Sequence, residues 1–232
     1  MKTPPPAAIA LIVGTIVVGL WADRHVQPWG QLAANVAAWA VFLGLLRGVP
    51  AAQRRSLIVC VLIATAGECF LSLVWGLYAY RLDNIPLFVP PGHGLLFMLG
   101  VLLAPRLTDR MVWAVPLVAA PFVLLLAVTG SDTLGVPLFA LFLLCLAVGR
   151  ARKLYATMFV LALAMELYGT WLGNWTWVER APWLGLATLN PPLAAGAFYC
   201  VLDLLVTLFA RGNSLLPLAA APPSTHRSAA AL

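Results

Sequence analysis

Apolar residues arrive along this chain in eight long runs, separated by short polar or proline-rich stretches. The runs predict helices at about 7–22, 32–47, 56–79, 91–105, 111–129, 134–149, 154–174 and 191–211. They are long enough to cross a hydrocarbon core about 30 Å thick. Lys2 ahead of the first run imitates a secretory signal. No small-x-small cleavage site precedes Asp23-Arg24-His25, however, so that run is read as the first helix. Composition agrees with this pattern: 62% of the residues are hydrophobic and 9% are charged, where a soluble domain carries roughly a quarter charged. The expectation is an all-α, polytopic membrane bundle of about eight transmembrane helices.

The basic residues test that count. With the N-terminus inside, Lys2, Arg47, Arg54, Arg55, Arg106, Arg110, Arg150, Arg152, Lys153, Arg211 and Arg227 fall on the cytoplasmic side. Arg24, Arg81 and Arg180 fall on the other. Eleven of fourteen on one face is the asymmetry that orients membrane helices. The net charge of +6 therefore reports topology and nearby anionic lipid and gives no cause to expect a nucleic-acid partner. The expected location is the inner, cytoplasmic membrane with both termini inside. Residues 1–211 form one transmembrane domain, and the Ala-, Pro- and Ser-rich stretch 212–232 is expected to be a disordered cytoplasmic tail.

The two halves of the chain echo each other. Glu68, Gly76-Leu77-Tyr78-Ala79-Tyr80, Pro86 and Pro90-Pro91 recur in order as Glu166, Gly173-Asn174-Trp175-Thr176-Trp177, Pro182 and Pro191-Pro192. This predicts a duplication with halves at about 1–110 and 111–211. Four helices per half would leave the repeats parallel, related by an axis along the membrane normal. Proline suits the first turn of a helix and Asn190 is a good N-cap, so helices 4 and 8 are expected to begin at their double prolines. The stretches before them, Asn84 to Val89 and Ala181 to Leu189, are apolar but not regular helix. Such backbone at membrane depth needs cover or a hydrated cavity, which makes it a natural pocket mouth.

Four titratable side chains fall within the predicted helices: Glu68, His93, Glu166 and Asp203. Counted at 1.5 Å per residue, Glu68 and Glu166 lie about 20 Å from Arg55 and Lys153, and Asp203 about 18 Å from the outer end of helix 8. A carboxylate near the midplane is costly unless neutral or partnered. No Lys or Arg lies deep in any run, so at least one of the three acids is expected to be protonated at neutral pH, as a proton donor would be. Thr65, Glu68, Ser72 and Trp75 share a helical face, as do Glu166, Gly169 and Gly173, and Pro192, Gly196, Tyr199 and Asp203. Those stripes point the acids inward, toward one pocket between helices 3, 7 and 8. Cys60, Cys69, Cys145 and Cys200 lack ligand-like spacing, and no metal or cofactor is expected.

Glu68, the Gly76-x-Tyr78-x-Tyr80 exit and the Val89-Pro90 step resemble the integral-membrane carotenoid-biosynthesis hydratases of the bacterioruberin type. Gly173-x-Trp175-x-Trp177 followed by Asn190 resembles the same family's second motif. A looser likeness is to membrane-bound meroterpenoid cyclases. The resemblance implies acid-promoted hydration or cyclisation of an isoprenoid lipid. Glu68 or Asp203 would donate the proton, Glu166 would be the second carboxyl and His93 would orient a group or water. Trp75, Tyr78, Tyr80, Trp171, Trp175, Trp177, Asn190 and Tyr199 would line the substrate site, since aromatic faces stabilise cations. The alternatives are a small proton-linked transporter, because intramembrane acids also serve proton relays, and a structural membrane protein whose polar groups join helices. Reporter fusions after Arg55 and after Lys153 should both read cytoplasmic; an external signal at either position would refute the orientation.

Overall fold

The computed structural model describes residues 5–209. Lys2, Arg211, Arg227 and the tail expected over 212–232 lie outside the described residues. In chain order the elements are α1 (Pro5–His25), α2 (Gly30–Arg47), α3 (Ala51–Glu68) and a π-helical turn (Cys69–Val74). Next come β1 (Tyr78–Tyr80), α4 (Val89–Leu103), α5 (Asp109–Val128), α6 (Gly135–Val148), α7 (Arg152–Leu172), β2 (Trp175–Trp177) and α8 (Gly196–Phe209). Five helical stretches are long and apolar enough to cross a membrane: α1, α2, α3 with its π turn, α5 and α7. The other three, α4, α6 and α8, have 15, 14 and 14 residues. The bundle's outward faces suit lipid: Leu117 and Val128 on α5 and Trp171 on α7 are largely exposed. Pro116 and Pro121 sit inside α5, as membrane helices tolerate.

At the bundle's centre α3, α4, α7 and α8 pack on one another, with α1–α2 against α4 and α5–α6 against α7 and α8. Small residues set the closest approaches. A Cβ on Gly196 would strike the Phe159 backbone, and one on Gly94 the Phe42 ring. Arg54 donates to the Leu46 carbonyl at 3.3 Å and Arg152 to the Leu146 carbonyl at 2.9 Å. Each thereby caps the helix before its own, where free carbonyls favour a cation. Lys153 reaches Asp109 at 3.7 Å, so these basic residues gather at one end of the bundle.

The other end carries a feature absent from the all-α expectation. Helix 3 was expected to run to residue 79, but regular helix ends at Glu68, the π turn ends at Val74, and Gly76 takes φ 72°. Gly173 takes φ 77° after α7. That left-handed geometry is where glycine ends a helix without a Cβ clash. Two residues beyond each glycine a strand begins. The strands pair antiparallel, Tyr78 with Trp177, Ala79 with Thr176 and Tyr80 with Trp175. With a period of two, all four aromatics face the bundle and are buried, while Ala79 and Thr176 face out.

Helix 8 also departs from expectation. It begins at Gly196, five residues after Pro191. Asn190 is not its N-cap: its Oδ1 accepts from the Trp177 backbone N–H at 3.0 Å, tying the loop to β2. Pro90 and Pro91 do open α4 in its first turn. The segments before α4 and α8 are irregular. Trp75 holds the second by donating to the Pro182 carbonyl at 2.7 Å and stacking on Trp183 at 5.6 Å. Asp132, buried in the α5–α6 turn, accepts from Gly135 N and Leu193 N, both at 2.9 Å. Burial pushes its carboxyl above the ordinary aspartate range, and the two backbone donors oppose that shift.

A buried lock fixes α1 to the ribbon. Asp23 Oδ2 accepts from Asn174 at 2.6 Å and its Oδ1 from Arg81 at 3.1 Å, while Arg81 also donates to the Asp23 carbonyl at 2.7 Å. Asn174 adds a bond to the Leu20 carbonyl at 3.1 Å. Removing one member of a buried ion pair strands the other. Asp23→Ala should therefore lower stability by about 3 kcal/mol, read as a drop in the thermal midpoint of the detergent-solubilised protein. Exposed Arg24→Ala should change it by no more than about 0.5 kcal/mol.

Candidate functional site

The ribbon's inward aromatics meet two glutamates from the helices that precede the strands. Tyr78 and Tyr80 donate their hydroxyls to Glu68 Oε2 at 2.7 and 2.6 Å. The Trp175 and Trp177 indoles donate to Glu166 Oε2 at 2.8 and 3.1 Å. Each carboxyl thus takes both aromatics of the strand that follows it. The rings pack across the ribbon, Tyr78 on Trp177 at 4.8 Å and Tyr80 on Trp175 at 6.1 Å between centroids. Gly169 makes room for Trp175, since a Cβ there would fall on the indole.

The second oxygen of each carboxyl has a different neighbour. Glu68 Oε1 lies 3.2 Å from His93 Nε2, and His93 Nδ1 lies 3.0 Å from the Val89 carbonyl. A carbonyl only accepts, so Nδ1 carries a hydrogen. The contact between Nε2 and Oε1 then holds one proton, either as neutral acid and imidazole or as carboxylate and imidazolium. Glu68 Oε2 is already occupied by two hydroxyl donors, so a transferable proton of this pair sits on the line to His93. Tyr199 stacks on the imidazole at 5.1 Å and 8° and directs its hydroxyl to Glu166 Oε1 at 3.4 Å. Glu68, Glu166 and His93 feel one another's charge.

Two cavities meet at this cluster. The smaller, about 70 Å³, reaches toward α1, α2 and α4; the larger, about 320 Å³, reaches toward the π turn, α6 and α8. Glu68, Tyr78, His93, Glu166 and Tyr199 line both, and the remaining walls are mainly apolar, with Thr15 and the nearby Trp75 as polar exceptions. The cluster is therefore a polar waist between two apolar chambers.

The expected site residues divide accordingly. Glu68, Glu166, His93, Tyr78 and Tyr199 border both chambers; Tyr80 and Trp175 border the smaller, Trp75 and Trp177 the larger. Three placements need correction. Asp203 is fully buried but lines neither chamber, because it lies one turn beyond Tyr199, away from the waist. Trp171 is 78% exposed and points out of the bundle. Asn190 spends its side chain on the Trp177 backbone. Sequence reasoning overlooked the Asp23–Arg81–Asn174 lock, setting Asp23 just past the first helix and counting Arg81 only as a charge on the outer side; an acid in the last turn of an otherwise apolar helix was the available signal. Among the described residues no three His, Cys, Asp or Glu side chains converge to hold a metal.

Comparison with known proteins brings no match: no family model matches the chain, and no curated protein or solved structure is significantly similar to it. Gly169→Ala should force Trp175 off Glu166, cost about 1–3 kcal/mol as overpacking does, and alter the near-ultraviolet circular dichroism of the buried tryptophans. Gly67→Ala, with open space around its Cα, should leave that spectrum and the thermal midpoint unchanged.

Proposed function

We propose that the protein is an intramembrane enzyme that hydrates or cyclises a lipid-soluble isoprenoid by acid–base catalysis. The observation that carries this reading is the Glu68–His93 contact, one shared proton at the junction of two apolar chambers. A substrate alkene lying across the waist takes that proton at carbon. The tertiary cation left behind faces the rings of Tyr78, Tyr80, Trp175 and Trp177, whose π faces stabilise positive charge. Glu166, held as an acceptor by two indoles that do not give up their protons, uses Oε1 to take the proton released by attacking water, giving an alcohol. In a cyclisation it takes the proton from carbon instead. Among the described residues no Lys or Arg lines either chamber, which favours a substrate without an anionic head.

The same reading includes eight membrane crossings, both termini cytoplasmic in the inner membrane, and a duplication into parallel four-helix halves. Supporting the duplication, the ribbon pairs the first aromatic of one motif with the second of the other, as a two-fold axis requires. The likeness of both motifs to carotenoid hydratases favours hydration over cyclisation. One observation favours transport instead: a titratable cluster separating two cavities is also the arrangement of a proton-linked gate.

The experiment compares lipid extracts of cells with and without the protein by mass spectrometry, beside uptake in proteoliposomes. Glu68→Gln keeps the shape and loses the transferable proton. Conversion should fall by about 10²–10⁴-fold, while His93→Ala, which leaves the acid without its proton partner, should fall less. Full conversion in Glu68→Gln would refute the catalytic acid. A transporter would keep substrate exchange in that variant and lose proton-driven accumulation.

A further inference from the structure

Asp203 is a buried acid that the proposed reaction does not touch. It has no exposed area, and neither carboxyl oxygen has a hydrogen-bond partner among the described residues. The titratable groups within reach of its charge are Cys60 on α3, Cys145 on α6, Tyr155 on α7, and Tyr199 and Cys200 on α8. None is a cation. A carboxylate there would be an uncompensated charge in an apolar bundle, so the side chain is carried as the neutral acid with its O–H intact.

Its neighbours along α8 form a file. Tyr199, Asp203 and Thr207 follow at intervals of four, which stacks them on one helical face with about 5–6 Å between successive Cβ atoms. At one end of the file the Tyr199 hydroxyl reaches Glu166 Oε1 at 3.4 Å. At the other, Thr207 Oγ1 lies 3.3 Å from the Tyr155 hydroxyl. Tyr155 stands one turn inside α7 from Arg152 and Lys153, and the described part of α8 reaches Phe209. The file therefore runs from the waist to the basic end of the bundle, through hydroxyl and carboxyl groups that both give and take protons.

We propose that Asp203 is the proton-transfer residue that connects the Glu166–His93–Glu68 cluster with the aqueous phase at the basic end. Inward, the Asp203 side chain, which has no hydrogen-bond partner at rest, turns to donate its O–H to the Tyr199 oxygen while Tyr199 passes its own proton to Glu166 Oε1. The Asp203 carboxylate left behind is reprotonated through the Thr207 and Tyr155 hydroxyls. Outward, the same steps reverse. Glu166 Oε2 offers no competing route, since both of its donors are indole N–H groups. Each proposed turnover takes one proton from the Glu68–His93 pair and leaves one on Glu166, so no net proton is consumed, and the file lets the cluster's proton count re-equilibrate with the aqueous phase.

The inference rests on Glu166 as the proton acceptor, but its test needs no substrate, so failure here leaves the lipid-conversion experiment to judge the catalytic reading separately. Protein in lipid nanodiscs is moved from H₂O to D₂O, and the acid C=O stretch of the cluster is followed by infrared spectroscopy. That band is assigned by its loss in Glu68→Gln or Glu166→Gln. In Asp203→Asn, deuteration should slow on the order of 10²-fold; Asp203→Glu, which keeps an acid proton, should restore it. Thr207→Val, outside both chambers, should slow exchange and Thr207→Ser should preserve it. A wild-type rate in Asp203→Asn or Thr207→Val overturns the relay. Slow exchange in Asp203→Glu as well assigns the residue to packing and overturns it too.

Discussion

Two glutamates inside an apolar bundle must find donors, and the architecture around them is arranged by that requirement. Water is scarce there, so an unmatched carboxylate would cost several kcal/mol. The donors come from two three-residue strands that fold back over the bundle end after left-handed glycines. A third helix continuing to residue 79 would have carried Tyr78 and Tyr80 past Glu68. Breaking the helix, first through a π turn and then at Gly76, turns both hydroxyls back onto Oε2. The ribbon in turn needs anchoring, and Asp23 at the end of α1 supplies it by holding Arg81 and Asn174, which flank the two strands.

The halves use one geometry for different chemistry. Tyrosine hydroxyls around Glu68 can both give and take a proton, and the carboxyl's other oxygen faces imidazole. Indoles around Glu166 only donate, so that carboxyl is fixed as an acceptor with one oxygen free toward Tyr199. Equivalent positions filled by Tyr in one motif and Trp in the other thus divide donor from acceptor. The mainly apolar walls of the chambers on either side give the pair a low-dielectric setting, which strengthens each electrostatic interaction at the waist.

What was legible in the sequence follows from signals that are local. Six of the eight apolar runs place their helices to within three residues, because solvating a helix in lipid depends on its own composition, while the third and eighth runs also cover irregular backbone beside the waist. The echo of Glu, Gly-x-aromatic-x-aromatic and double proline marked the two segments that build the waist, and helical stripes pointed Glu68 and Glu166 inward. Asp203 shared the same kind of stripe, yet the register of α8 against α7 sets it one turn away from the chambers. Trp171 and Asn190 belong to the right motifs but face lipid and backbone respectively, a choice made by helix rotation and loop path.

Composition and periodicity alone specify a helical membrane bundle, its glycine and proline breaks, and the presence of buried acids, all properties of single segments. Packing between segments makes the aromatic exits pair as a ribbon, turns Tyr and Trp each to the glutamate of their own half, and brings His93 from α4 to Glu68 from α3. Those contacts join residues on different segments. Their distances depend on how the helices cross, which composition and periodicity along one chain do not encode.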